Sequence, residues 1–179
     1  MKHITMDDMG QKFKESNKSD SFFSECIDIV LRNEGGYSNN SLDPGGETNF
    51  GICKKYYPEI DIKNLTREKA IDIYYCDYWL KMNLNNIYDE NLVLQIFDCG
   101  VNCGISTAIK MIQKIVEVTI DGDMGVETEM AIKDYFIADL VDLYKQERKK
   151  YYFNLVRKNP ELAIFLKGWM NRVEKTLFA

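Results

Sequence analysis

At 179 residues, with 45 % apolar side chains and three prolines, the chain suits one domain, or one domain with a small appendage, and can build a proper core without a large disordered region. A net charge of −5 argues against general nucleic-acid binding, which relies on basic patches to neutralise phosphates. One histidine, His3 in a polar tail, leaves no Ser-His or Cys-His catalytic pair, and five irregularly spaced cysteines (Cys26, Cys53, Cys76, Cys99, Cys103) read as reduced thiols rather than a disulfide framework.

Residues 1 to 20 are polar and aperiodic, a flexible lead without the apolar stretch of a signal peptide, so synthesis in the cytoplasm is expected. SFFSECIDIVLRN then places apolar residues at 22, 23, 26, 27, 30 and 31, a stripe of helical period. Asp20 or Ser21 can cap its start, and Gly35 and Gly36 can end it. Residues 37 to 64, rich in Asn, Asp, Ser, Gly and Pro, read as loop with a small β-hairpin. A helix capped by Thr66 follows in TREKAIDIYYCDYWLKM. ENLVLQIFDCGVNCG is apolar nearly all round, as a helix at the centre of a domain is. ISTAIKMIQKIV makes the next helix, and TIDGDMG a turn-dense break. Residues 127 to 158 form one long or two abutting helices, stopped before Pro160, and ELAIFLKGWMNRVEKTL closes the chain as the last. The expected class is mainly α. No segment approaches the roughly 18 consecutive apolar residues of a membrane span, and no basic amphipathic helix is present, so direct membrane insertion is not expected.

The stretch RNEGGYSNNSLDPGGETNFG, residues 32 to 51, concentrates the chemistry. Glu34 follows Val30 by four residues and Ile27 by seven, so it continues the apolar stripe to the helix end. Partial desolvation and the negative end of the helix dipole both favour its protonated form, which a general acid needs at neutral pH. Asp43, in the polar turn DPGG, would stay ionised, and Thr48 carries a hydroxyl able to position a water. Two carboxylates in unlike surroundings can divide the acid and base roles of glycoside hydrolysis. The plain alternative is that glutamate is common at helix ends and Asp-Pro-Gly-Gly is an ordinary turn.

The run from Glu34 to Ile52 resembles the signature of glycoside hydrolase family 108, N-acetylmuramidases of lysozyme-like fold found as phage endolysins and secretion activator proteins. The signature pairs Glu-Gly-Gly-Tyr, here Glu34 to Tyr37, with Asp-Pro-Gly-Gly, here Asp43 to Gly46, and Thr-Asn-Phe-Gly-Ile, here Thr48 to Ile52. The central helix FDCGVNCG, with Asp98 and Asn102, the turn IDGDMGVET and the closing GWMNR at 168 to 172 are similar to the family's later blocks, so the resemblance covers roughly residues 22 to 177. Val126 stands where the turn usually has proline, and Cys53 where Thr or Ser is usual.

The resemblance implies a lysozyme-like catalytic region over residues 21–116 and a helical peptidoglycan-binding region over 117–179. It implies cleavage of the β-1,4 bond between N-acetylmuramic acid and N-acetylglucosamine, with Glu34 as catalytic acid. The spacing of Glu34, Asp43 and Thr48 also looks like the Glu, Asp, Thr triad of phage-type lysozymes, where Asp and Thr hold the attacking water. Tyr37 and Asn49 belong to the signature and are candidate substrate contacts. Tyr78 or Trp79 in YYCDYW can stack on a sugar ring, although core packing is the commoner use of such aromatics. Asp98 and Asn102 either hydrogen-bond substrate acetamido groups or tie down the Asp43 loop. The basic and aromatic run RKKYYFNLVRK reads as a solvated helix face, and Tyr151, Tyr152 and Trp169 are candidates for contacting peptide stems. Cys99 and Cys103 share a helix face, yet no third or fourth ligand stands near them, so neither a metal nor another cofactor is implied. The expected partners are peptidoglycan and, for access to the wall, a holin or other release system; the expected state is a monomer. Two rivals stay open: a non-catalytic peptidoglycan-binding protein on the same fold, and a lytic transglycosylase.

Overall fold

The computed structural model describes residues 19–39, 46–135 and 137–178. They are mainly helical with one small antiparallel hairpin, as the sequence pattern predicts. The chain divides into two compact units, with the boundary in the sequence between Asp77 and Tyr78.

In the first unit, helix α1 (Ser19–Asn33) turns the stripe Phe23, Cys26, Ile27 and Val30 wholly inward. Burying each of the large apolar side chains contributes about 1.5–3 kcal/mol. Strands β1 (Thr48–Asn49) and β2 (Ile52–Cys53) pair antiparallel, with Thr48 opposite Cys53 and Asn49 opposite Ile52. Only Phe50 and Gly51 link them, with φ of 51° and 76°. Positive φ at both central residues is the twist that a two-residue hairpin needs, and glycine supplies it freely. Phe50 does not, so its conformation must be held from outside, and the Tyr74 hydroxyl donates to the Phe50 carbonyl at 2.9 Å. Ser38 extends the ladder by bridging to Thr48 with backbone bonds of 2.8 and 2.9 Å.

Helix α2 (Arg67–Tyr74) starts where predicted, with the Thr66 hydroxyl accepting from the Lys69 amide at 3.3 Å. It runs into a π-helical turn at Tyr75–Trp79 and a last turn, α3 (Leu80–Met82), stopped by left-handed Asn83. Most of the aromatics of this stretch are core: Tyr74, Tyr75 and Trp79 are buried.

The second unit is built around α4 (Glu90–Cys103), whose residues 92–100 are buried without exception. The Asp89 carboxylate caps it by accepting from the Leu92 amide at 2.7 Å. Gly104, at φ 91°, turns the chain directly into α5 (Ile105–Ile115). Next come α6 (Val126–Asp134), α7 (Ile137–Lys158), a 3-10 turn at Pro160–Leu162 and α8 (Ala163–Lys175). Helix α4 packs against α5 and α7, and α7 against α8. The turn-dense break before α6 is organised by buried Gln113, whose amide lies within 2.7–3.2 Å of Asp121, Asp123 and Thr128 and accepts from the Gly122 amide at 2.9 Å. No helix among the described residues is long and apolar enough to cross a membrane.

Candidate active site

Glu34 is the first residue past α1, and its amide still donates to the Val30 carbonyl at 3.1 Å, so the last helical turn carries its side chain on the inward face. Glu34 as a whole is half-buried. Its carboxyl lies beside the hairpin turn. A Cβ placed on Gly51 would stand 2.6 Å from Glu34 Oε2 and 2.6 Å from the Tyr74 hydroxyl oxygen. Three elements therefore converge within atomic contact of Gly51: the end of α1, the β1–β2 turn and the end of α2. The glycine is needed twice, once for its φ and once for its missing side chain.

This geometry sets a direct expectation. Gly51→Ala must adopt a left-handed conformation and push aside the Glu34 carboxyl or the Tyr74 ring. The backbone term alone costs about 1–2 kcal/mol. We expect the variant to fold with a lowered melting temperature and, with Glu34 as the expected catalytic acid, to lose at least about tenfold in turnover, because small misplacements of a reacting group are costly. Turnover on solubilised cell wall, read beside a thermal melt, checks it; unchanged turnover would show that the Glu34 carboxyl is not placed by this contact.

The other predicted residues of the first unit divide by what they touch. The Tyr37 ring is 44 % exposed, and its hydroxyl donates to Glu47 Oε1 at 2.7 Å, a bond that pushes the phenol above its ordinary range. Thr48 is half-buried in β1, with its hydroxyl donating to the Gly46 carbonyl at 3.3 Å. Asn49 is buried, and its amide donates to the carbonyls of Ile62 at 3.1 Å and Leu65 at 3.5 Å, fixing the following loop against the hairpin. Asp43 lies outside the described residues.

In the second unit, Tyr78 is half-buried at its first position. Asp98 is fully buried. Arg148 Nη2 reaches its Oδ2 at 2.9 Å, and Arg172 Nη2 and Nε reach its Oδ1 at 2.9 and 3.0 Å. Burial raises the Asp98 carboxyl, but the two guanidiniums and their hydrogen bonds outweigh it and hold it below the usual carboxylate range. Asp98 thus ties α7 and α8 to α4. Asn102, one turn on, is exposed and accepts from the Tyr152 hydroxyl at 2.7 Å. The Tyr152 ring is buried and stacks on Trp169 at 5.0 Å, which in turn meets half-exposed Phe165 at 5.8 Å. Tyr151 lies on the other side of Tyr152, half-buried.

The run at 148–158, expected to be a solvated face, is so only in part: Arg148 and Tyr152 are buried because Asp98 and Asn102 on α4 need partners. Sequence reasoning also missed Gln95, which is fully buried, donates to the carbonyls of Val173 at 3.0 Å and Thr176 at 2.6 Å, and accepts from Arg148 at 2.8 Å. It missed Tyr74 as the group beside Glu34. The one available signal was polar residues (Gln95, Asp98) inside an otherwise apolar helix, which demand buried partners. The expected shared face of Cys99 and Cys103 is present. Hydrogen bonding with Cys99 and then with Tyr152, working against burial, holds the Cys103 thiol down to about 7.

Two known families match successive stretches of the chain. Residues 27–104 match the family described as Glycosyl hydrolase 108, and residues 107–174 match the one described as "Predicted Peptidoglycan domain". No curated protein sequence matches significantly. Among solved structures, the chain is similar to one titled "Structure of Brucella abortus SagA", with a TM-score of 0.75 and 28 % identity, covering 87 % of this chain and 91 % of that one.

Proposed function

Because the chain belongs to the glycosyl hydrolase 108 family and carries a peptidoglycan domain behind its hydrolase region, we propose that this peptidoglycan hydrolase is an N-acetylmuramidase with Glu34 as its general acid. The observation that carries the reading is the carboxyl at the end of α1, on a half-buried residue and set against Gly51 and Tyr74. A carboxyl so placed faces a fixed direction, as a proton donor to a bound substrate must.

In this reading Glu34 gives its proton to the glycosidic oxygen as the bond from C1 of N-acetylmuramic acid breaks, and the N-acetylglucosamine leaves with a free 4-hydroxyl. A water held by Asp43 and Thr48 adds to C1 and gives up its proton to the carboxylate. Asp43 enters through its place in Asp-Pro-Gly-Gly, and Thr48 through its position in β1. Tyr37 offers an exposed ring to a sugar, Asn49 holds the hairpin in place, and Tyr78, Asn102, Tyr151 and Trp169 retain open surface for substrate. Asp98 and Tyr152 act from beneath, by fixing the helices that carry those contacts.

The test is the chemistry of the ends. Purified peptidoglycan digested by the protein should yield fragments with reducing N-acetylmuramic acid termini, each heavier by one water than the anhydro product. Anhydro termini would replace hydrolysis with lytic transglycosylation. Binding to the wall without new ends of either kind would leave a binding protein and remove Glu34 from catalysis.

A further inference from the structure

Helices α5 and α7 leave a pocket of about 270 Å³ in the second unit, away from the Asp98 network. Its apolar lining is buried Met111 and exposed Ile120 from the following loop. Its rim is cationic. Lys114 reaches Glu147 at 2.5 Å, and Lys150 reaches the other oxygen of the same carboxylate at 3.4 Å. Lys110, one turn before Lys114, also lines the pocket and is exposed, with no ion-pair partner among the described residues. The pocket lining thus holds two lysines and one carboxylate, a local surplus of positive charge on a chain whose net charge is −5. A Cβ on Gly122 would stand 3.0 Å from the Lys110 Cε, so the lysine lies over the glycine of the Asp-Gly turn. Tyr151 closes the α7 side.

Such a pocket suits a ligand with a carboxylate near small apolar groups. Peptidoglycan contains both, on one of its two components. The glycan strand offers hydroxyls and acetamides, whereas the peptide stems carry free carboxylates beside alanine methyl groups. The match to a peptidoglycan domain spans all these residues, from Lys110 to Tyr151, without saying which component is read. We propose that the α5–α7 pocket is a stem-peptide subsite, in which Lys110 pairs with a stem carboxylate, Lys114 supports it, and Met111 and Ile120 receive the adjacent methyl groups. This rests on peptidoglycan being the substrate, but not on Glu34 cutting it.

The experiment is fluorescence anisotropy on the full-length protein, with a fluorescein-labelled synthetic stem tetrapeptide carrying free carboxylates, and the same peptide with every carboxylate amidated. The acid form should bind, and the amidated form should bind on the order of tenfold more weakly, as loss of a charge-assisted bond implies. Lys110→Glu should weaken the acid peptide at least as much, Lys110→Ala nearly as much, and Lys110→Arg should restore it. Added salt should weaken wild type more than Lys110→Ala. Equal binding of the two peptides, or wild-type affinity in Lys110→Glu, overturns the subsite. The readout separates the two claims: a protein that binds the acid peptide through Lys110 and releases no reducing ends keeps the subsite and loses the hydrolase mechanism. One that releases reducing ends while Lys110 variants bind as wild type does the reverse.

Discussion

Glu34→Gln is expected to fold as the parent does and to lose about 10²–10⁴-fold of its glycosidase rate, the usual contribution of a positioned general acid. The substitution keeps the shape that lies against Gly51 and Tyr74 and removes only the transferable proton. The glycosidic oxygen must then leave as an alkoxide, for which the amide offers a hydrogen bond and no proton. Glu34→Asp is the companion variant. It keeps the proton but draws it back by one methylene, so an intermediate loss is expected if position as well as acidity matters. Reducing-end release from purified wall measures both, and pelleting with the same wall shows whether the rest of the protein still engages it. Full turnover in Glu34→Gln would sink the mechanism whatever the fold.

What could be read in advance follows from which signals are local. The α1 stripe, the Thr66 cap, the buried all-apolar α4 and the stop before Pro160 each depend on residues a few positions apart, and each is found where the pattern places it. The hairpin was legible as a loop rich in turn formers, but its register was not. The register depends on Phe50 accepting a positive φ, and that depends on a hydroxyl 24 residues later in the chain. The π-helical turn at Tyr75–Trp79 had no signal in a pattern of helical period. The site shows the same limit. Glu34 stands at the helix end where its phase placed it, whereas its neighbour Tyr74 looked like one more core aromatic. Arg148 was hidden in a basic run because nothing local separates a buried arginine from solvated lysines, and its partner Asp98 lies 50 residues earlier.

That partner sets the largest expected effect on stability. Asp98→Ala would leave two guanidiniums in the second unit without their carboxylate, one of them, Arg148, fully buried. Removing one side of a buried ion pair costs about 3–5 kcal/mol, because the remaining charge is stranded in a poor solvent. For a chain of this size that corresponds to a drop on the order of 10 °C in melting temperature. Asp98→Asn should cost less, since its amide oxygen still accepts one hydrogen bond. The pH dependence gives the signature of the charge itself. The folded Asp98 carboxyl lies below its unfolded value, so the stability it contributes is complete above the ordinary aspartate range and is lost as pH falls through the lower, folded value. Thermal melts of wild type and Asp98→Asn should therefore stand furthest apart near neutrality and converge on acidification below about pH 4. A constant gap down to that range would mean that the packing of the side chain, and not its charge, holds α7 and α8 to α4. If the gap closes as expected, the aromatic contacts at Tyr152 and Trp169 should loosen with it, because Arg148 donates both to Asp98 and to the Tyr152 hydroxyl. Wall binding through the proposed contact surface should then weaken in step with the melt, which would link the ion pair to substrate binding as well as to stability.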